Sequence, residues 1–120
     1  MKRGEVWWAR LPKPVGRRPV LLLSRDSAYG VRTSVTVAPV TRTVRDIPVE
    51  MLLGREDGLP ARCVANLDDI ATIPKGLLES RITALPREKM HAVAESIRFA
   101  LDLPDSRRRT SSRPASPDCR

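Results

Sequence analysis

Arg17-Arg18-Pro19-Val20-Leu21-Leu22-Leu23-Ser24 is the stretch on which the reading of this 120-residue chain turns. Pro19 resists helix, and the continuous apolar run behind it has the length and bounding of a buried strand. Two charged forks are thereby fixed at a strand's mouth. A guanidinium keeps its proton at any useful pH, and its planar donors match two oxygens of a phosphate, so a rigidly held pair points to an anionic ligand. The same pair also fits an ordinary solubility device beside an apolar run.

Upstream, residues 5–11 alternate as a first strand, ended by Pro12 and Pro14, which lack amide donors for a ladder. Neighbours on a strand face opposite sides, so Trp7 and Trp8 cannot both be core. The outward one is either a stacking platform for a base or a side chain packed under a loop or at a subunit contact. Residues 12–16 form a stiff basic loop that carries Lys13 and delivers the chain to Arg17 and Arg18.

Downstream of the second strand comes a turn-rich excursion over 25–30, then the β-branched run 33–41, a third strand ending at Thr41-Arg42-Thr43. Residues 47–53 form a fourth strand, placed at an edge by Pro48. Residues 54–60 are loop, 62–73 one or two bent strands, and 77–85 a last short strand. Helix starts at Pro86 and carries Met90, Val93, Ala94, Ile97 and Leu101 at helical spacing, a stripe to pack on the sheet, with Pro104 as its stop. Several strands followed by one terminal helix predict a mainly β fold with α (α+β), a small, strongly curved antiparallel sheet or barrel under helical cover.

Length allows one domain, residues 1–103, followed by a Ser/Pro/Arg-rich tail over 104–120 with nothing to bury and the composition of disorder. The net charge is +8, and the tail's five arginines and two aspartates supply +3 of it, leaving +5 on the body. An acidic partner, nucleic acid first, follows from that balance. Cys63 and Cys119 make no disulfide framework and fit reduced thiols in a cytoplasm. No apolar stretch has the length of a signal sequence or a membrane span, so a cytoplasmic location is expected.

The residue inventory limits the chemistry. His91, the sole histidine, lies one position off the helical stripe and reads as a surface residue. One histidine without a close cysteine pair makes no zinc ligand set, and no Gly-rich phosphate loop of standard spacing occurs. Asp68 and Asp69 diverge if they lie on a strand, which favours a structural or partner role over a metal site. No base is identifiable to activate a serine. No metal and no cofactor is expected. Arginine, hydroxyls and aromatic surface remain, a set suited to holding a phosphodiester. RNA brings its own nucleophile, the 2′-hydroxyl, so its cleavage without metal is chemically feasible.

Three blocks then carry a resemblance. Arg3-Gly4-Glu5-Val6-Trp7-Trp8-Ala9-Arg10-Leu11-Pro12, Gly16-Arg17-Arg18-Pro19-Val20-Leu21-Leu22-Leu23-Ser24 and Val35-Thr36-Val37-Ala38-Pro39-Val40-Thr41 resemble, in order, the MazF/PemK toxin family. A weaker match runs through Gly58-Leu59-Pro60 and from Cys63 to Ile73 into the last helix. The resemblance implies an SH3-like, CcdB-like barrel with helices and a homodimer. It implies sequence-selective, metal-independent cleavage of single-stranded RNA by a toxin that a cognate antitoxin neutralises. It places the catalytic arginine on Arg18, handling phosphate charge, and the catalytic threonine on Thr41, orienting the phosphate. Many relatives carry a glutamate in a longer loop before the arginine; residues 12–17 here are short and contain no acid.

Lys13, Arg17, Ser24, Arg42 and Trp8 are the expected RNA-binding residues around that pair. Two other functions compete with the endoribonuclease: a non-enzymatic toxin that poisons DNA gyrase, as the related CcdB group does, and a simple RNA-binding barrel. The Arg18 and Thr41 pair favours cleavage.

Overall fold

Seven short strands precede one helix in the computed structural model, which describes residues 1–104. The expected tail, apart from Pro104, and Cys119 lie outside the described residues. The strands are β1 (Glu5–Arg10), β2 (Arg17–Leu22), β3 (Ser34–Thr41), β4 (Glu50–Leu53), β5 (Cys63–Asn66), β6 (Ala71–Pro74) and β7 (Leu78–Ala84), and the helix is α1 (Arg87–Leu101). They form one antiparallel sheet in the order β4-β5-β3-β2-β1-β7, with β6 also on β3. The sheet is curved but does not close into a barrel, because β4 and β7 do not pair with each other.

The apolar run explains why β2 sits centrally. Leu21 stands opposite Val6 and Ala38, and Val20 opposite Trp7 and Pro39, so alternate residues feed two different cores. One face holds Val6, Leu21, Ala38, Val40, Leu53 and Ala65, closed by Val93 of α1 with Met90 and Ile97 beside it. The opposite face holds Ala9, Val20, Leu22, Tyr29, Val35 and Val37. A strand covered on both sides tolerates no polar alternation, which is why residues 20–23 read as unbroken hydrophobe. Burying Val93 completely contributes about 1.5–3 kcal/mol.

The tryptophans diverge as the pleat demands. Trp7 packs on the second core and donates its indole N–H to Glu5 at 2.9 Å, while Trp8 faces the other way, opposite Pro19. Both are half-buried.

Three expectations need correction. The fourth strand is shorter than residues 47–53: Pro48 has no amide to offer, and the Glu50 amide turns back to the Ile47 carbonyl at 2.9 Å, so pairing starts at Glu50. That strand is nevertheless an edge. Residues 62–73 resolve into two strands along the same side of β3, β5 on its end and β6 on its start. Leu101 is 56% exposed, because the sheet does not reach under the last helical turn. The helix stops before Pro104: Asp102 adopts a left-handed conformation at φ 56° and returns its amide to Arg98 and Phe99. His91 is exposed, as its place off the stripe implies. Among the described residues no helix is long and apolar enough to cross a membrane.

Candidate functional site

The antiparallel β2–β3 ladder ends at the Val20–Pro39 pair, and just beyond it lie Arg18 on β2 and Thr41 on β3. Both line one polar hollow of about 170 Å³, with Pro39, Thr43, Arg45, Asn66 and Asp69 around it. Arg18 is half-buried, and its Nε is buried without a hydrogen-bond partner. A charged donor left unpaired in that position is a donor kept for something else.

The walls of the hollow are built by short-range bonds. The Thr43 amide donates to Thr41 Oγ1 at 3.3 Å. Asn66 accepts the Asp68 amide at 2.9 Å and donates to Asp69 Oδ2 at 3.0 Å, so the β5–β6 turn presents Asp69 in a fixed setting. Glu50 accepts the amides of Arg45 and Asp46 at 2.9 and 3.0 Å, folding the β3–β4 loop so that Arg45 joins the lining.

Thr41 also lines a second, smaller slot of about 100 Å³ on its other side. Trp8, Pro19, Val40, Leu59, Pro60, Ala61 and Cys63 make it apolar, and Arg42 supplies the charge. Behind Trp8, the Arg17 guanidinium lies 4.1 Å from the ring centroid. Glu79 anchors that cation: its two carboxylate oxygens accept from Arg17 Nε and Arg10 Nε, each at 2.8 Å. Hydrogen bonds from Arg17 first, then Arg10, hold the Glu79 carboxyl below its ordinary range. Exposed pairs of this kind stabilise little. Their effect is positional, since they fix the indole.

The far wall depends on one glycine. Gly58, at φ 92°, ends the turn of Arg55–Asp57, and a Cβ there would meet Thr83 Oγ1 at 2.6 Å. Asp57 accepts the Gly54 amide at 3.0 Å and the Lys89 ammonium at 3.4 Å, so α1 clamps the turn that leads into Leu59, Pro60 and Ala61. Burial, then the Asp57 carboxylate, pushes the Cys63 thiol up. Cys63 is therefore a neutral wall residue and a poor nucleophile.

The expected binding residues separate into groups. Trp8 and Arg42 border the slot beside Thr41. Arg17 is committed to Trp8 and Glu79. Lys13 is exposed on the β1–β2 loop and lines neither hollow. Ser24 is not brought to the pair: it lies six residues along from Arg18, about 20 Å at strand rise. Its Oγ accepts the Thr36 amide at 2.8 Å beside a separate polar hollow containing Arg25 and Arg32. Arg45, Asn66, Asp69 and Glu79 were missed. An Asn-x-Asp-Asp turn after a strand was the available signal for two of them; Glu79 has none without the β1–β7 pairing. Among the described residues no three of His, Cys, Asp and Glu gather as a metal ligand set.

A curved antiparallel sheet under one helix, with an arginine and a threonine from its central strands lining one polar hollow, defines the class of small protein to which this chain belongs. Known proteins give that class a family. The model of the PemK-like, MazF-like toxin of type II toxin–antitoxin systems matches residues 2–101. The chain is 37% identical over 101 residues to the probable endoribonuclease MazF5 of Mycobacterium tuberculosis, covering 83% of this chain and 92% of that protein. It is 40% identical over 86 residues to the endoribonuclease MazF3 of the same species, covering 72% and 84%. Among solved structures, Mycobacterium tuberculosis toxin MazF-mt6 superposes with a TM-score of 0.79 at 36% identity, covering 84% of this chain and 99% of the other. A mycobacterial endoribonuclease in complex with its cognate antitoxin gives 0.77 at 27% identity, covering 88% and 98%. The chain belongs to the PemK/MazF-like toxin family.

Proposed function

We propose that the protein is the toxin of a toxin–antitoxin pair and acts as a sequence-selective, metal-independent endoribonuclease on single-stranded RNA. The observation that carries this reading is the meeting of Arg18, from β2, and Thr41, from β3, in the lining of one polar hollow. Simple binding of RNA or of DNA gyrase needs no such pair. Family membership and relatives named endoribonuclease support the activity.

In the proposed reaction the 2′-hydroxyl attacks the adjacent phosphorus and the bond to O5′ breaks, the departing O5′ taking a proton from water, to leave a cyclic phosphate and a free 5′-hydroxyl. Arg18 faces the charge that grows on the phosphate oxygens, and the Thr41 hydroxyl orients them. Asp69, the one carboxylate lining the hollow, takes the 2′-hydroxyl proton; Asn66 holds one of its oxygens and leaves the other for that task. Arg42 and Arg45 neutralise flanking phosphates.

The rest of the reading follows the family: a cytoplasmic homodimer, a cognate antitoxin that covers the RNA surface, residues 1–103 as the toxin domain and 104–120 as an appended basic tail. Incubating the pure protein with a mixed RNA pool in excess chelator, then mapping the ends, tests it. Discrete 5′-hydroxyl ends are expected. Intact RNA, or DNA cut equally well, overturns the reading.

A further inference from the structure

The apolar walls of the slot beside Thr41 have no part in the phosphate chemistry just described, yet the slot shares that residue with the cleavage hollow. Its lining includes the flat Trp8 indole together with Leu59, Pro60 and Ala61. Arg17 lies against the Trp8 ring and is absent from the slot's lining, so the cation backs the indole without filling the space. Narrow, flat-walled and apolar, with Arg42 as its only charge, the slot suits a planar ring whose attached phosphate stays outside.

Resting on the endoribonuclease reading, we propose that this slot takes the nucleobase of a nucleotide adjoining the cut phosphate, stacked on Trp8, and that Leu59 and Ala61 set which base is accepted. Continuity fixes the occupant: Thr41 is at once a wall of the slot and a member of the catalytic pair, so whatever enters lies one nucleotide from the reacting phosphorus. The Arg17 cation strengthens the arrangement by pinning the indole before RNA arrives, which spares the cost of ordering it on binding. Gly58 and the Lys89–Asp57 contact hold the turn that leads into Leu59, Pro60 and Ala61. Because the slot's wall is mostly apolar, selection acts through ring size and stacking.

The experiment has two arms, both on the full chain. In the first, the cleavage motif of the wild type and of Ala61→Phe is mapped on a randomised RNA pool. Ala61→Phe narrows the slot, so preference at one position beside the cut should change at least tenfold while the other positions keep theirs. In the second, Trp7→Phe leaves Trp8 as the sole indole reporter. A non-cleavable oligonucleotide, 2′-O-methylated at the cut, should quench it, and removing the single base beside the cut should abolish the quench and weaken binding about 5- to 140-fold. Should Ala61→Phe fail to fold, the second arm decides alone. A wild type that cuts no RNA overturns the endoribonuclease reading itself. A wild type that cuts, with its motif unchanged in a folded Ala61→Phe or its Trp8 signal indifferent to the missing base, overturns the slot assignment only.

Discussion

Replacing Arg18 by methionine separates what the residue does for activity from what it does for the fold. Its Nε is buried without a hydrogen-bond partner, a condition that costs about 1–3 kcal/mol. Methionine keeps an unbranched chain of similar reach and removes the orphaned donor. Recovering even about 1 kcal/mol raises Tm by about 4–8 °C in a domain of this size. The same change deletes the positioned cation opposite Thr41, which lowers cleavage on the order of a hundredfold or more, the effect of losing one preorganised electrostatic donor. The Arg18→Met variant is therefore expected to be more stable and nearly inactive. Arg18→Lys should stay poor, since a point charge does not reproduce a planar fork. Thermal melts by circular dichroism and initial rates on a fluorophore–quencher RNA read the two quantities separately. An Arg18→Met protein that melts below the wild type, or that cuts within about tenfold of it, refutes the idea of a strained donor held for the phosphate. Arg17→Ala is the control: losing its contact with Glu79 should loosen Trp8 without abolishing cleavage, and a dead Arg17→Ala beside an active Arg18→Ala would shift the assignment by one residue.

Thr41→Ser should keep most of the activity that Thr41→Ala loses, with neither variant unfolding; equal loss in both would show that the hydroxyl is not what matters. Asp69→Asn, which preserves the contact with Asn66, should cut at least about a hundredfold more slowly, and an unchanged rate removes Asp69 as the base. Since the Glu79 carboxyl is held below its ordinary value of 4.5, its link to Arg10 and Arg17 should be intact above that value and break only as pH falls through the lower folded-state one. Trp8 emission in the Trp7→Phe chain should report that step, and a midpoint at or above 4.5 contradicts the bridge. Gly58→Ala forces a side chain into a left-handed turn against Thr83 and should lower Tm by at least about 4 °C, at about 1 kcal/mol or more of strain; an unshifted melt means the turn is not held as described.

Most of the architecture was legible because its signals are local. Pro12, Pro48 and Pro86 punctuate the chain, β-branched runs mark β3, and the 3.6-residue stripe marks α1. The candidate pair Arg18 and Thr41 was readable only through likeness to a family, since no local pattern says that the start of β2 meets the end of β3. The shared hollow supplied that fact. Arg45, Asn66 and Asp69 were hidden for the same reason, each belonging to a loop whose place depends on strands distant in sequence. Ser24 lies about 20 Å along the chain from Arg18, a separation that only the strand's rise reveals. Leu101 followed the helical period correctly and still failed, because periodicity does not say where the sheet beneath ends.

The closing of the main core by Val93 also has a consequence in time. Ribosomes lay down β2 and β3 early, but the layer beneath them, Val6, Leu21, Ala38 and Val40, has no cover until α1 emerges. A half-made chain therefore owns Arg18 and Thr41 without a fold to hold them together, and is harmless during most of its own synthesis. Genetic escape from this toxin should mirror that schedule: survivors of its expression should carry premature stop codons as late as the codons for residues 90–97, long after Thr41 has been translated.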